Sequence, residues 1–413
     1  MPPSSAMEAS GMLERILKRR IGDIFFYAAY LVLLIKRIME VSGLFSLSEI
    51  SDNTLIIVFF IFFLLKLSTQ KFTLSKLCFF GILFAIIFVS CINARYFTPL
   101  FGCCLIIAIQ GIDLSKLIKV SCYSKAVILL IHIVAYVTSN GLYEVTNKII
   151  RDGRIRHAFF IGHPNTFSFF LTWTIIEYIF VYYEKIRLRH IIIIWLIELL
   201  CYRFTDSNSG MIVLSLVCVF VLCEKYTKRV FRIVSSAVIK YGHALLSIFF
   251  IVFIRIYPAL DGKARATWEA INVFFNGRTL FGAQAIDVYG ITFFGRTIRF
   301  PEKVFWQGNW MDTGGMTIFD NYYIGHYILF GTVILVLISV SFFALSKKME
   351  NKERIVIIAF IFYGVMEAYI TTFTFCFALL IIGRYFYDPV NQTTDSSGTL
   401  KEETLPLWKR RSA

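Results

Sequence analysis

The residues of this chain best equipped for chemistry are arginines, histidines and carboxylates gathered in three polar stretches. The first reads Arg151-Asp152-Gly153-Arg154-Ile155-Arg156-His157 and closes on Gly162-His163-Pro164-Asn165. Three guanidinium groups so close together can grip phosphate oxygens bidentately and keep their charge at any working pH. A solvated loop bridged to lipid headgroups accounts for each arginine singly. His163 stands before a proline at the mouth of an apolar run, where the backbone is restricted and a helix can start. An imidazole there can serve as a base near neutral pH, and a hydrogen-bonded interfacial histidine is the plainer alternative.

The second stretch, Arg203-Phe204-Thr205-Asp206-Ser207-Asn208-Ser209-Gly210, enters another apolar run. Ser, Asn and Gly at a helix start offer backbone N–H groups to an anion, or simply cap the helix. Arg203 is not explained by capping. The third stretch carries Trp268, Glu269, Asn272, Asn276-Gly277-Arg278 and Leu280-Phe281-Gly282. Arg296, Arg299, Lys303, Trp306 and Trp310 follow, then Asp320-Asn321-Tyr322-Tyr323. Cations mixed with aromatic rings suit a ligand that is both anionic and sugar-like, whereas an interfacial aromatic belt is the simpler account of Trp306 and Trp310. Glu367 lies within an apolar run, where an acid is costly and is a functional candidate by default.

The elements that must position these groups follow from composition. Of 413 residues, 57% are hydrophobic and 17% charged, and the mean hydropathy is +0.69. Soluble domains carry about a quarter charged residues, so a conventional water-soluble enzyme is excluded. With 43 Phe and 21 Tyr, so is general disorder. The expected class is an all-α polytopic membrane protein. Apolar runs fall at 24–41, 54–67, 77–93, 98–112, 120–138, 165–183, 190–203, 210–224, 238–256, 319–345, 355–370 and 372–387, about twelve spans.

Basic residues sort these runs into an orientation. With the 1–23 tail cytoplasmic, the loops at 67–76, 113–119, 184–190, 224–232 and 346–354 hold most of the Lys and Arg, as the positive-inside rule requires, and the 389–413 tail returns to the same side. The 24–388 region is then one membrane domain, with long extracytoplasmic loops at about 139–165 and 257–319. Loops of that length tend to be functional. Lys36 and Arg37, near the outer end of the first run, break the rule. No internal repeat and no Gly/Pro-interrupted helix pair is expected.

The net charge of +15 is accounted for by topology, not nucleic acid. The nine cysteines lie in or beside apolar runs without a CxxC pair and behave as small hydrophobes, so neither a zinc site nor a disulfide framework is expected. There is no P-loop, GxGxxG, HExxH or nucleophile elbow. Glu49 and Asp52 in the first outer loop form no adjacent pair for a divalent metal. No metal and no cofactor is expected.

Read together, the motifs resemble a known family. Gly162-His163-Pro164-Asn165 after an arginine-rich loop is similar to the "GHPN" segment of bacterial capsular and O-antigen polysaccharide polymerases of the Wzy type. The Thr205–Gly210 turn, Asn276-Gly277-Arg278, Leu280-Phe281-Gly282, Asp320-Asn321-Tyr322 and the late Glu367 follow in the family's order over about 140–370. Many relatives read Ser-Arg where this chain has Ser207-Asn208, so phosphate binding at this turn is expected only if Arg203 substitutes. The resemblance implies a fold similar to O-antigen ligases and GT-C membrane glycosyltransferases. The implied reaction is metal-independent transfer of a growing glycan from undecaprenyl diphosphate to a sugar hydroxyl of the next lipid-linked repeat unit, at the outer face of the bacterial plasma membrane. Partners implied are that lipid-linked oligosaccharide, membrane lipids, and the flippase and chain-length regulator of the pathway.

Arg154, Arg156 and Arg278, supported by Arg203, are then expected on the diphosphate, where cations can replace a metal. His163 is the first choice of base and Asp320 the second. Asn165, Asn321, Tyr322 and Glu367 complete the substrate contacts. An O-antigen ligase is the nearest alternative enzyme. A lipid-linked oligosaccharide flippase or other transporter would instead place its charges inside the spans.

Overall fold

Helix boundaries in this chain are written largely by its own capping residues. A computed structural model describes residues 5–45, 48–139, 148–151, 154–275, 277–299, 302–306, 309–312 and 319–387; Asn276 and the 389–413 tail lie outside the described residues. In chain order come α1 (Ser5–Val41), α2 (Glu49–Ser68), α3 (Leu74–Ala94), α4 (Thr98–Ala108) and α5 (Leu114–Thr138). Strands β1 (Lys148–Arg151) and β2 (Arg154–His157) precede α6 (Pro164–Val181), α7 (Leu188–Thr205), α8 (Asn208–Tyr226), α9 (Lys228–Ala237) and α10 (His243–Ile256). The chain continues through α11 (Gly262–Phe274), α12 (Arg278–Tyr289), β3 (Lys303–Trp306), β4 (Asn309–Asp312), α13 (Tyr322–Leu329), α14 (Thr332–Leu345), α15 (Asn351–Tyr363) and α16 (Ala378–Phe386). Ser48, Thr73 and Asp113 cap α2, α3 and α5 by accepting from the backbone N–H three residues on, which satisfies donors that the first turn leaves unpaired.

Five helices among the described residues are long and apolar enough to cross a bilayer: Ile50–Ser68, Leu74–Ala94, Leu114–Thr138, Asn208–Tyr226 and Lys228–Ala259. The last runs unbroken from α9 through a π-helical turn into α10. Rows of large apolar side chains point away from the bundle, among them Ile57, Ile61 and Leu64 of α2, Ile192, Leu196 and Leu200 of α7, and Leu245, Ile248 and Val252 of α10. Such faces are unfavourable in water and at home against lipid. The chain is an all-α, membrane-embedded protein.

Each of the twelve expected runs contains helix, though the 372–387 run is α-helical only from Ala378 and two others are interrupted. The 319–345 run is broken at Gly331, whose φ of +80° and approach to the Phe293 carbonyl leave no room for a Cβ. The 355–370 run stops being α-helical at Tyr363, and only a short 3-10 turn, Ala368–Thr371, precedes α16. Gly331 and Gly364 both sit at these interruptions. Polar backbone at this depth must find partners within the protein. The Tyr322 N–H donates to the Gly364 carbonyl (2.9 Å), and Asn321 Nδ2 donates to the Val365 carbonyl (2.8 Å).

Helix ends gather at two levels. At one, Lys66 Nζ reaches the Gln110 carbonyl (3.0 Å), Asn351 bonds Glu224 (3.0 Å), and Arg384 pairs with Glu350 (3.1 Å) and Glu353 (3.0 Å). At the other, Gly43 N–H donates to the Phe160 carbonyl (2.7 Å) and Thr297 Oγ1 to the Asn93 carbonyl (2.7 Å). The two long loops belong to this second level and hold more structure than a loop reading expects. The first carries the antiparallel β1–β2 hairpin, the second α11, α12 and the β3–β4 hairpin. Lys36 and Arg37 also lie here, and the charge that broke the basic-residue rule is matched: Lys36 pairs with Glu40 and with Asp52 (2.7 Å), and Arg37 with Glu40 (2.7 Å).

Candidate functional site

The corner between α11 and α12 aims the first group. Gly277 takes a left-handed φ of +77°, and Asn272 Oδ1 accepts from Thr279 Oγ1 (2.6 Å) and the Leu280 N–H (3.1 Å). Arg278 thus opens α12 with its side chain turned towards the interrupted segment after α15. There its Nε lies 3.4 Å from Asp320 Oδ2 and its Nη2 3.6 Å from Glu367 Oε1, while Nη1 donates to the Met366 carbonyl. The Met366 contact is a hydrogen bond, and the two carboxylate contacts are longer ion pairs. Ser209 Oγ adds a bond to Glu367 Oε1 (3.2 Å). Ser209 is held there because Gly210 packs where any Cβ would meet Ser168 Oγ at 2.3 Å and Glu198 Oε1 at 2.4 Å.

The second group hangs from β2 and the start of α6. Residues two apart on a strand share a face, so Arg154 and Arg156 project together. Arg156, 4% exposed, donates from Nε to the Thr205 carbonyl (2.7 Å) and from Nη2 to Asn165 Oδ1 (2.6 Å), tying β2 to the ends of α7 and α6. Arg154 is exposed and lies 3.7 Å from Asp206, which ends α7 at a left-handed φ of +48°. Between hairpin and helix, Phe159 (φ +50°) and Phe160 (φ +56°) hold conformations unusual for non-glycine residues, of the kind concentrated at functional segments.

His163 is the N-cap of α6: its Nδ1 accepts from the Asn165 N–H (3.2 Å). That bond engages the only lone pair of a neutral ring and leaves Nε2–H as an outward donor. Burial pulls the imidazole pKa below its usual value, and the cations of Arg156 and Arg278 add to the fall while Asp320 opposes it. The lowered pKa favours the neutral ring, and with Nδ1 engaged by the Asn165 N–H it is the Nε2–H that can donate a hydrogen bond.

His163, Arg156, Asn165, Arg278, Asp320, Glu367 and Ser209 form one polar centre at the loop-bearing end of the bundle. Arg203 is exposed in the last turn of α7 with no ion pair to this centre among the described residues. Asn321 caps α13 through Ile324 N–H (3.0 Å) and holds Val365, so its amide is committed to the scaffold. Tyr322 is fully buried and turned away, its hydroxyl 3.0 Å from His243 Nε2; a substrate contact through that hydroxyl does not fit this geometry. Composition and motif reading missed Asp206 and the Met366 carbonyl as partners, since neither carries a spacing signal. Within this centre the formal charges of Arg156 and Arg278 are offset by Asp320 and Glu367, so it is close to charge balance. Comparison with protein-family models, with curated proteins and with solved structures finds no match for this chain.

Proposed function

We propose that this chain is a polysaccharide repeat-unit polymerase with about twelve spans and both termini cytoplasmic. It would pass a growing glycan from undecaprenyl diphosphate to a sugar hydroxyl of the next lipid-linked unit at the outer face of the bacterial plasma membrane. One observation carries the reading: four motifs spread over some two hundred residues converge on one polar centre at the loop-bearing end of the bundle. They are the His163 segment, the Ser209 turn, Arg278 and Asp320 with Glu367. The acceptor hydroxyl attacks the anomeric carbon, the bond from that carbon to the diphosphate oxygen breaks, and the lipid diphosphate leaves with its electron pair. Arg278 and Arg154 take up the charge that develops, and the His163 Nε2–H donates to the same oxygens. Asp320, the less buried carboxylate of the pair on Arg278, receives the acceptor proton.

Cells lacking the protein should accumulate single lipid-linked repeat units at the outer leaflet and lose long polymer. Units trapped on the cytoplasmic face would assign a flippase, and full-length polymer retained on its carrier would assign a ligase.

The donor role of His163 has its own consequence. Protonation would cost the ring its bond to Asn165 N–H, so activity should fall only as pH drops through a pKa below the ordinary 6.5. His163→Gln keeps a donor and should retain elongation at pH 7.5 within about tenfold, where loss of a general base costs about 10²–10⁴-fold. Its acid limb should shift relative to the unsubstituted protein. A loss beyond about a hundredfold in membrane vesicles at pH 7.5 would return the base role to His163.

A further inference from the structure

We infer that a second cavity beside this centre seats a single-chain lipid diphosphate, the acceptor unit's own anchor. The inference rests on the polymerase reading for the lipid's role in the reaction, and on geometry for its binding. The cavity, about 630 Å³, opens at the loop-bearing level between the ends of α1, α3 and α13, and Arg37, Glu40, Arg95, Arg299 and His326 line it. Glu40 is already matched by Lys36 and Arg37. Arg95 and Arg299 are exposed and have no acidic partner among the described residues. The cavity therefore carries an excess of positive charge, on Arg95 and Arg299, that the near-balanced Arg278 centre lacks, and a diphosphate is the complement of two such guanidinium groups.

Two features of the fold put those arginines there. Arg95 ends α3 in a left-handed conformation, φ +55°. Arg299 follows Gly295, which packs so tightly against the Leu329 carbonyl that a Cβ would lie 2.0 Å from it, while the neighbouring Arg296 N–H bonds that same carbonyl (3.1 Å).

The tail has its own place. An apolar groove of about 330 Å³ runs along α3 from Phe79 to Ile87 and along α14 from Ile334 to Ala344. At 1.5 Å per residue the eight steps on α3 cover roughly 12 Å of bilayer depth. Ile82 and Val340 in its wall are exposed on the bundle surface, so a hydrocarbon chain can enter from lipid. His326 and Thr371 belong to the walls of both spaces, which places the polar cavity at the head of the apolar groove. His326 is 4% exposed, and neither ring nitrogen has a side-chain hydrogen-bond partner among the described residues. A buried polar group so placed gains from a ligand oxygen. Phe319 and Ala368, also in the cavity wall, adjoin Asp320 and Glu367 in sequence. A glycan leaving this headgroup thus starts beside the proposed base.

The test uses the full-length protein in bilayers of neutral lipid and geranylgeranyl diphosphate bearing a photoreactive group on its tail. Labelled peptides should map to α3 and α14. Labelling should fall about tenfold in Arg95→Gln/Arg299→Gln, the scale of lost charge-assisted bonds, and also in Ile338→Trp, which fills the groove and leaves the arginines. Excess unlabelled geranylgeranyl diphosphate should compete, while inorganic pyrophosphate and dioleoyl phosphatidylglycerol should do so at least tenfold less well. Labelling of α3 and α14 that both variants leave intact, or equal competition by phosphatidylglycerol, overturns the assignment. Failure of the polymerase reading looks different, as normal polymer in cells lacking the protein, and would not alter the labelling.

Discussion

Arg278→Gln is expected to reduce glycan elongation by about 10²–10³-fold, the usual cost of removing one preorganised donor from a developing oxyanion. The side chain is held by three separate acceptors, Asp320, Glu367 and the Met366 carbonyl, so its remaining donors are fixed before substrate arrives and need no reorganisation during the reaction. Glutamine keeps hydrogen-bonding capacity but neither charge nor fork. Arg278→Lys restores the charge alone and should recover only part of the loss.

The same substitution removes the cation beside Glu367, a side chain 2% exposed. Breaking a buried pair by deleting one partner commonly costs about 3–5 kcal/mol, so a low protein level could imitate a catalytic defect. Arg278→Gln/Glu367→Gln removes both charges and leaves two amides able to bond each other. This double variant should return to the membrane at the unsubstituted level and still lack long polymer. Polymer ladders of normal length in cells producing either variant would remove Arg278 from the mechanism.

How far the sequence could lead depended on the kind of signal each residue carries. Arg156, His163, Arg278, Asp320 and Glu367 were legible because polar groups stand out at the borders of apolar runs, and their meeting was expected from the order of the motifs. Helix existence was legible for the same reason, whereas the breaks at Gly331 and Gly364 were not. A glycine in an apolar run interrupts a helix only when other chain segments satisfy the freed backbone, and those segments, Phe293 and Tyr322, are distant in sequence. Side-chain direction was also hidden. Tyr322 follows Asn321 directly, yet one faces His243 in the core and the other caps α13. Lys36 and Arg37 were an exception to the charge rule until Glu40 and Asp52 were found against them. Glu198 carries no spacing signal in its apolar run, although Thr172 Oγ1 lies 3.4 Å from its carboxylate and Gly210 packs on it.

The least legible feature carries an expected stability effect as large as that of the Arg278–Glu367 pair. Lys125 of α5 and Glu177 of α6 are fully buried, 2.7 Å apart. The ammonium also donates to the Phe375 carbonyl (3.0 Å), and Ser121 Oγ to the same carboxylate oxygen (2.9 Å). Tyr30 of α1 joins through Ser121 (2.9 Å). One ion pair thus fastens three helices to the irregular stretch between Glu367 and α16. Lys125→Met should destabilise the protein by about 3–5 kcal/mol, because Glu177 is left as an uncompensated buried charge. Lys125→Met/Glu177→Leu should recover more than half of that, since buried pairs are replaceable by apolar residues of similar size. Thermal unfolding in detergent should therefore rank the unsubstituted protein first, the double variant next and the single variant last. Equal midpoints for all three would show that the pair contributes nothing to stability. Elongation separates two uses of the pair. The double variant still lacks the Lys125 bond to Phe375, so the segment that carries Glu367 loses one of its tethers. A double variant that folds and reaches the membrane but elongates poorly would mean that the pair is kept to hold Glu367 against Arg278. Full elongation would confine the pair to holding the helices together.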